Sequence, residues 1–217
     1  MSDLENPRFI VVEGAIGVGK TSLAKRLAES FSAELLLEDV DENPFLKDFY
    51  KNSKAMAFHT QLFFLLQRAE QIRGLQRGDM LCVPRVADFM FQKDMLFAEL
   101  TLSDPELELY KKVYRELNLE IPQADLVIYL QAPEDVLQKR ISIRGVDYEQ
   151  GISPSYLSDL NNAYAHYFHY YNQTPLLIVN ASEIDFVNKP DDYELLLEHI
   201  RNISSGKHYF NPRVVGV

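Results

Sequence analysis

The sequence predicts an α/β fold, a five-stranded parallel sheet with helices on both faces, and three observations carry that expectation. Short, continuously apolar runs alternate with longer stretches of helical period, the pattern of strands buried on both faces by crossover helices. The first such run leads through glycines directly into a helix-like stretch, VVEGAIGVGKTSLAKRL over Val11 to Leu27. Three carboxylates, Glu13, Glu38 and Asp88, fall at the carboxyl ends of expected strands, the edge at which sheets of this kind bind ligands.

Taken in order, FIVVE (9–13) reads as a buried strand and Lys20 to Phe31 as a helix. ELLLE (34–38) is the second strand, and 55–77 has the length and period of a long helix. LCVPRVADF (81–89) reads as a third strand, weakened at Pro84. Helices follow over about 91–102 and 105–118. The second is opened by SDPE, in which Ser103 or Asp104 can cap and Pro105 suits the first turn. DLVIYL (125–130) is the fourth strand, Pro133 to Ile143 a helix and Ser153 to Tyr171 a longer one. PLLIVN (175–180) is the fifth strand, and 190–203 the last helix. Residues 1–204 are expected to form one domain, with 205–217 as a partly ordered tail.

Composition narrows the function. At 217 residues and 47% apolar, the chain can bury a sizeable core. Its 22 basic and 32 acidic residues leave a net charge of −10, which argues against a nucleic-acid polymer or an anionic membrane as partner. The single cysteine, Cys82, excludes a disulfide within the chain and is expected to be a buried small hydrophobe. The opening MSDLENPRF has neither the basic nor the apolar segment of a signal peptide. With no apolar stretch long enough to span a bilayer, the cytoplasm is the expected location.

Gly14, Ala15, Ile16, Gly17, Val18, Gly19, Lys20 and Thr21 match G-x-x-x-x-G-K-[ST] after a strand and at the start of a helix, with Ser22 continuing that first turn. The glycines let successive backbone N–H groups point inward at phosphate oxygens, and the helix terminus adds partial positive charge. Lys20 can reach the terminal phosphates and the Thr21 hydroxyl can ligate Mg²⁺. A nucleoside triphosphate with Mg²⁺ is the ligand this segment predicts.

The destination of the phosphate is a separate question. A GTPase needs Asn-Lys-x-Asp to read its base, and neither NSKA (52–55) nor VNKPDD (187–192) matches. No strand ends in the Asp-Glu expected of an ATPase motor. A small-molecule kinase needs a carboxylate beside the acceptor hydroxyl, another beside Mg²⁺, and arginines over the transferring group. Glu38 suits the first position, as general base, and Asp88 the second. Arg140 and Arg144 share one helical face, and Gly145 ends that helix where a mobile flap can begin.

This ordered set resembles the deoxynucleoside kinase family over about residues 8–180. GAIGVGKTSL is similar to the family's phosphate loop. LLLEDVDENPFLKDFY is similar to its second strand, with the catalytic glutamate, and the segment that follows. FHTQLFFLLQR is similar to the substrate helix, and RISIRGVDYEQGIS followed by YL to the lid, about 144–152. The resemblance implies a P-loop kinase fold with a lid, ATP-dependent transfer to a nucleoside 5′-hydroxyl, and a homodimer packed through helices. It implies Glu38 as the base that accepts the hydroxyl proton, and Tyr50 and Glu149 on the sugar 3′-hydroxyl. Gln61 would pair with the nucleobase edge, Arg68 and Asp94 would complete the base pocket, and Arg140 and Arg144 would be lid arginines.

Two positions depart from the family pattern. Its Asp-Arg-Ser segment is here Asp88-Phe89-Met90, inside ADFMFQKD, and a lid arginine is replaced by Val146. Two cations around the transferring phosphoryl are therefore missing, and Arg85 lies on the opposite face of its strand. A kinase of another small metabolite and a non-catalytic ATP-binding regulator stay open as alternatives. Retention of both Arg68 and Asp94 favours deoxyadenosine, deoxyguanosine or deoxycytidine over thymidine, whose methyl would desolvate the pair without replacing its hydrogen bonds.

Overall fold

The computed structural model of the chain describes residues 7–77 and 83–211. The expectations for Cys82, for the first residues of the chain and for the last part of the tail lie outside the described residues.

The strands are β1 (Phe9–Gly14), β2 (Glu34–Leu36), β3 (Arg85–Ala87), β4 (Leu126–Gln131), β5 (Leu176–Asn180) and β6 (Lys207–Phe210). They form one parallel sheet in the order β2-β3-β1-β4-β5-β6. The parallel α/β expectation holds, with a correction in number: the sheet has six strands, not five. The sixth comes from the segment read as tail, where Gly206 takes a left-handed turn (φ 78°) and Lys207–Phe210 pairs with β5. Its polar, short sequence KHYF lacks the apolar run that marks the inner strands, because an edge strand has only one neighbour to satisfy.

The helices are α1 (Lys20–Ser30), α2 (Leu46–Lys51), α3 (Ser53–Arg77), α4 (Lys93–Thr101), α5 (Asp104–Glu116), α6 (Glu134–Arg144), α7 (Pro154–Tyr170) and α8 (Pro190–Arg201). The short α2 was not visible as a separate helix, since its six residues run almost directly into α3. Glu106 accepts hydrogen bonds from the Ser103 amide (3.0 Å) and hydroxyl (2.6 Å) and so fixes the start of α5.

Ile10, Val12, Leu23, Leu27, Ile128 and Leu196 are at most 1% exposed and join the sheet to its covering helices. Burying each such side chain contributes about 1.5–3 kcal/mol. The central strand β1 sits between β3 and β4, with Val11 in register with both Ala87 and Val127. That position aims the end of β1, the end of β3 and the segment after β2 at one edge of the sheet.

Candidate active site

The loop after β1 is shaped by glycine at two positions. Gly17 (φ 81°) and Gly19 (φ 106°) are left-handed, and a Cβ on Gly17 would come within 2.8 Å of Ile141. Helix α1 starts at Lys20 immediately afterwards, so its free N–H groups open toward the loop. The Lys20 ammonium hydrogen-bonds the carbonyls of Gly14 (2.9 Å) and Ala15 (3.2 Å). Burial lowers its pKa, against the opposing pull of Glu13 and with the help of nearby Lys93.

Glu13, fully buried at the base of the loop, accepts hydrogen bonds from Gly14 N (3.0 Å), Met90 N (2.7 Å) and the Tyr164 hydroxyl (2.9 Å). One carboxylate thus joins the end of β1, the segment after β3 and α7. Asp88 works similarly on the other side. It accepts from the Thr21 hydroxyl (2.5 Å) through one oxygen and from the Glu38 amide (2.9 Å) through the other.

That contact explains a shift from the expected strand boundary. Strand β2 stops at Leu36, two residues before Glu38, because the Glu38 amide is bonded by the Asp88 side chain rather than by a strand. Glu38 still reaches the phosphate loop's side of the sheet. One of its oxygens accepts from Arg68 Nη2 and the other from Lys93 Nζ (2.8 Å). Arg68 bonds Asp94 through Nη1. Burial alone would raise the Glu38 pKa, but the charges of Arg68 and Lys93 prevail and hold it at about 2.

A cavity of about 150 Å³ lies between the loop and these groups. Gly17, Lys20 and Thr21 line it together with Glu38, Gln61 and Arg68. Gln61 is 3% exposed, and its side chain makes no hydrogen bond among the described residues. Thr60 Oγ1, Arg68 Nε and Asp94 Oδ2 are buried without a protein partner among the described residues. Such a cluster of unmatched donors and acceptors suits a polar, planar ligand edge.

Tyr50 and Glu149 line the same cavity. Burial, then Tyr156 and Glu149, push the Tyr50 hydroxyl pKa well up, so it remains a donor. Glu149 accepts from Arg144. Helix α6 ends at Gly145 (φ 69°), as expected, and the segment that follows forms a 3₁₀ turn over Asp147–Gly151. The Tyr148 hydroxyl donates to Asp41 at 2.8 Å, which ties this turn to the segment after β2.

A second, open groove of about 900 Å³ lies on the other side of the loop, between α6 and residues 182–189. It is lined by Val18, Gly19 and Ser22 of the loop region and by Arg140 and Arg144. Arg140 donates to the carbonyls of Val18 (3.0 Å) and Ala181 (2.7 Å). Gly17, Lys20, Thr21 and Arg144 border both spaces. No group of three or more His, Cys, Asp or Glu side chains suited to a metal occurs among the described residues. The Thr21 hydroxyl and Asp88 carboxylate, two adjacent oxygen donors beside a phosphate loop, fit Mg²⁺, which keeps most of its shell as water and phosphate oxygen.

Every residue anticipated for the site lines one of these two spaces, except Gly14 and Ala15, which stand behind the loop, and Asp94, which is reached through Arg68. Two features were missed. The segment Ser182–Lys189 has no periodicity to announce it. Lys93 was passed over, although a lysine in the first turn of a helix opposes the helix dipole and calls for a nearby anion.

Residues 10–205 match the family model described as deoxynucleoside kinase. The chain is 35% identical over 204 residues to a deoxyguanosine kinase of Bacillus subtilis, covering 90% of this chain and 97% of that protein. It is 28% identical to a deoxyadenosine/deoxycytidine kinase of the same species, covering 90% and 92%. A solved structure of a deoxyadenosine kinase from M. mycoides, with dCMP and dCDP bound, superimposes with a TM-score of 0.77 at 24% identity. It covers 90% of this chain and all of that one, a likeness of fold.

Proposed function

Because this chain belongs to the deoxynucleoside kinase family, we propose that it transfers the terminal phosphoryl of ATP to the 5′-hydroxyl of a deoxynucleoside. One observation carries the reading: Glu38 lines the same cavity as Gly17, Lys20 and Thr21 of the phosphate loop, together with Gln61, Tyr50 and Glu149. The kinases among its relatives act on deoxynucleosides, so neither an unrelated metabolite nor a non-catalytic regulator is favoured. A regulator has no need of an acceptor pocket.

In this reading the deoxynucleoside occupies the cavity. Gln61 bonds the edge of the base, and Arg68, held from behind by Asp94, completes that wall. Tyr50 and Glu149 hold the 3′-hydroxyl. The 5′-hydroxyl then lies against Glu38, which is ionised at neutral pH and accepts its proton as the new P–O bond forms. A carboxylate of low basicity suffices because the transition state of phosphoryl transfer is loose and the proton moves late. The loop amides and Lys20 bind the phosphates of ATP, Arg140 and Arg144 cover them from α6, and Ser22 adds a first-turn hydroxyl. Mg²⁺, held by Thr21 and through water by Asp88, would neutralise phosphate charge.

The preferred acceptors are deoxyadenosine, deoxyguanosine or deoxycytidine rather than thymidine, since only these bases carry an exocyclic amino group, and thymine's methyl would desolvate the Arg68–Asp94 pair without replacing its hydrogen bonds. Residues 144–152 act as a lid over one kinase domain. The enzyme works as a homodimer, supported by the half-exposed Leu66 and Leu109 on the adjacent helices α3 and α5. It acts in the cytoplasm, consistent with a single cysteine. Among the described residues no helix is long and apolar enough to cross a membrane.

Transfer of labelled phosphate from ATP to each of the four deoxynucleosides tests the reading. A 5′-monophosphate product is expected from at least one of them. Hydrolysis of ATP with no labelled nucleotide under any of the four would refute it.

A further inference from the structure

Phe89 stands directly after Asp88, but its side chain is buried in the core, turned to a separate apolar cavity that Phe9, Val11 and Leu36 also line. It contributes nothing to the space around Glu38. Lys93, four residues on, does. It is the first residue of α4 and is only 6% exposed, its ammonium lies 2.8 Å from Glu38 Oε2, and it lines the same cavity as Lys20 and Thr21.

Such a placement is costly. A buried ammonium loses hydration, and a cation in the first turn of a helix opposes the dipole. Structural packing alone would be met by an apolar side chain of the same length. The charges around it indicate what the ammonium does. Arg68 is committed to two carboxylates, Glu38 and Asp94. Without Lys93 this group would carry one net negative charge beside an incoming polyphosphate; with it the group is neutral. An ammonium also has three donors. Glu38 takes one, and the others have no protein acceptor among the described residues.

We propose that Lys93 is a catalytic residue of the transfer: it orients Glu38 with one N–H and donates another to the phosphoryl group in flight, supplying on α4 the cation that position 89 lacks. This rests on the deoxynucleoside kinase reading above. The acceptor oxygen forms its bond to phosphorus, its proton passes to Glu38, and the bond to the departing diphosphate breaks. Lys93 stays protonated throughout and stabilises charge that spreads over the equatorial phosphoryl oxygens.

Five proteins test it in steady-state assays with the best deoxynucleoside: wild type, Lys93→Met, Lys93→Arg, Glu38→Gln and the double variant Glu38→Gln/Lys93→Met. The Met variant is expected to lose about 10²-fold or more in kcat while both KM values change less than about 3-fold. The Arg variant, which keeps the charge, should recover at least a tenth of wild-type kcat. The double variant removes one cation and one anion together, so its folding does not suffer an unpaired buried charge. It should fall at least 10-fold below Glu38→Gln alone, because the phosphoryl contact is lost independently of the carboxylate.

If the double variant matches Glu38→Gln, Lys93 acts only through Glu38 and the proposal fails. It fails equally if Lys93→Met keeps kcat within about 3-fold, with the family reading left standing. A wild-type enzyme inactive on every deoxynucleoside overturns that reading and this inference with it.

Discussion

Arg68 bonds Glu38 with one guanidinium nitrogen and Asp94 with the other, so a single cation joins a proposed general base to the wall of a proposed base pocket. Both carboxylates are largely buried, with side chains 12% and 0% exposed.

Removing that cation leaves two anions short of a partner in low dielectric. Lys93 still neutralises Glu38, but Asp94 has no second cation on it among the described residues. Arg68→Met is expected to destabilise the protein by about 3–5 kcal/mol, a fall in Tm of roughly 10 °C for a chain of this size. Scanning calorimetry at neutral pH measures it. A shift below about 2 °C would mean the pair adds nothing to the fold.

The same pairing makes stability depend on acid. The Glu38 pKa lies at about 2 in the folded protein against an ordinary value of 4.5. Its ionised form therefore favours the native state, by on the order of 3 kcal/mol at neutral pH. The contribution is complete above about pH 4.5 and is lost as the pH falls toward 2. In Glu38→Gln this part of the acid dependence should vanish, so the two Tm-against-pH curves should converge below pH 4. Curves that stay parallel across that window would contradict the pairing.

Glu38→Gln keeps the shape of the side chain and removes its basicity. We expect kcat to drop by about 10²–10⁴-fold while the nucleoside still raises Tm. Full turnover in this variant would move the base elsewhere.

Asp88 touches both Thr21 and the backbone of Glu38, so Asp88→Asn should raise the Mg²⁺ concentration needed for half-maximal rate and lower kcat about 10²-fold. Titrating activity with Mg²⁺ reads this directly. Isothermal titration with ATP in EDTA should give the same affinity for variant and wild type, since the loop amides and Lys20 are untouched.

The base preference has its own test. Gln61→Leu should cost at least 10-fold in kcat/KM for the preferred deoxynucleoside and leave the KM for ATP alone. Thymidine phosphorylated by wild type as efficiently as the other three would remove the role assigned to Arg68 and Asp94.

Much of this arrangement was legible in the sequence, for identifiable reasons. The phosphate loop declares itself because Gly17 and Gly19 must take left-handed angles that few other residues accept. Inner strands such as LVIYLQ announce themselves because both of their faces are buried. Glu38 could be placed from its position after an apolar run, although the strand itself ends two residues earlier. What stayed hidden depends on contacts between distant segments. The pairing of Lys93 with Glu38 spans 55 positions and leaves no local pattern. The sixth strand is short and polar, and only its neighbour β5 makes it a strand. Phe89 could be recognised as a substitution, but not that its ring would turn into the core.

That last strand has a practical bearing. Lys207–Phe210 occupies the outer rim of the sheet beside β5, where Leu176 to Val179 offer a row of backbone hydrogen-bonding groups. A protein shortened to residue 205 would expose that row to water as a ready template for a strand from another molecule. Trimming the carboxyl end to aid crystallisation would therefore invite aggregation, and an affinity tag is better placed at the other terminus.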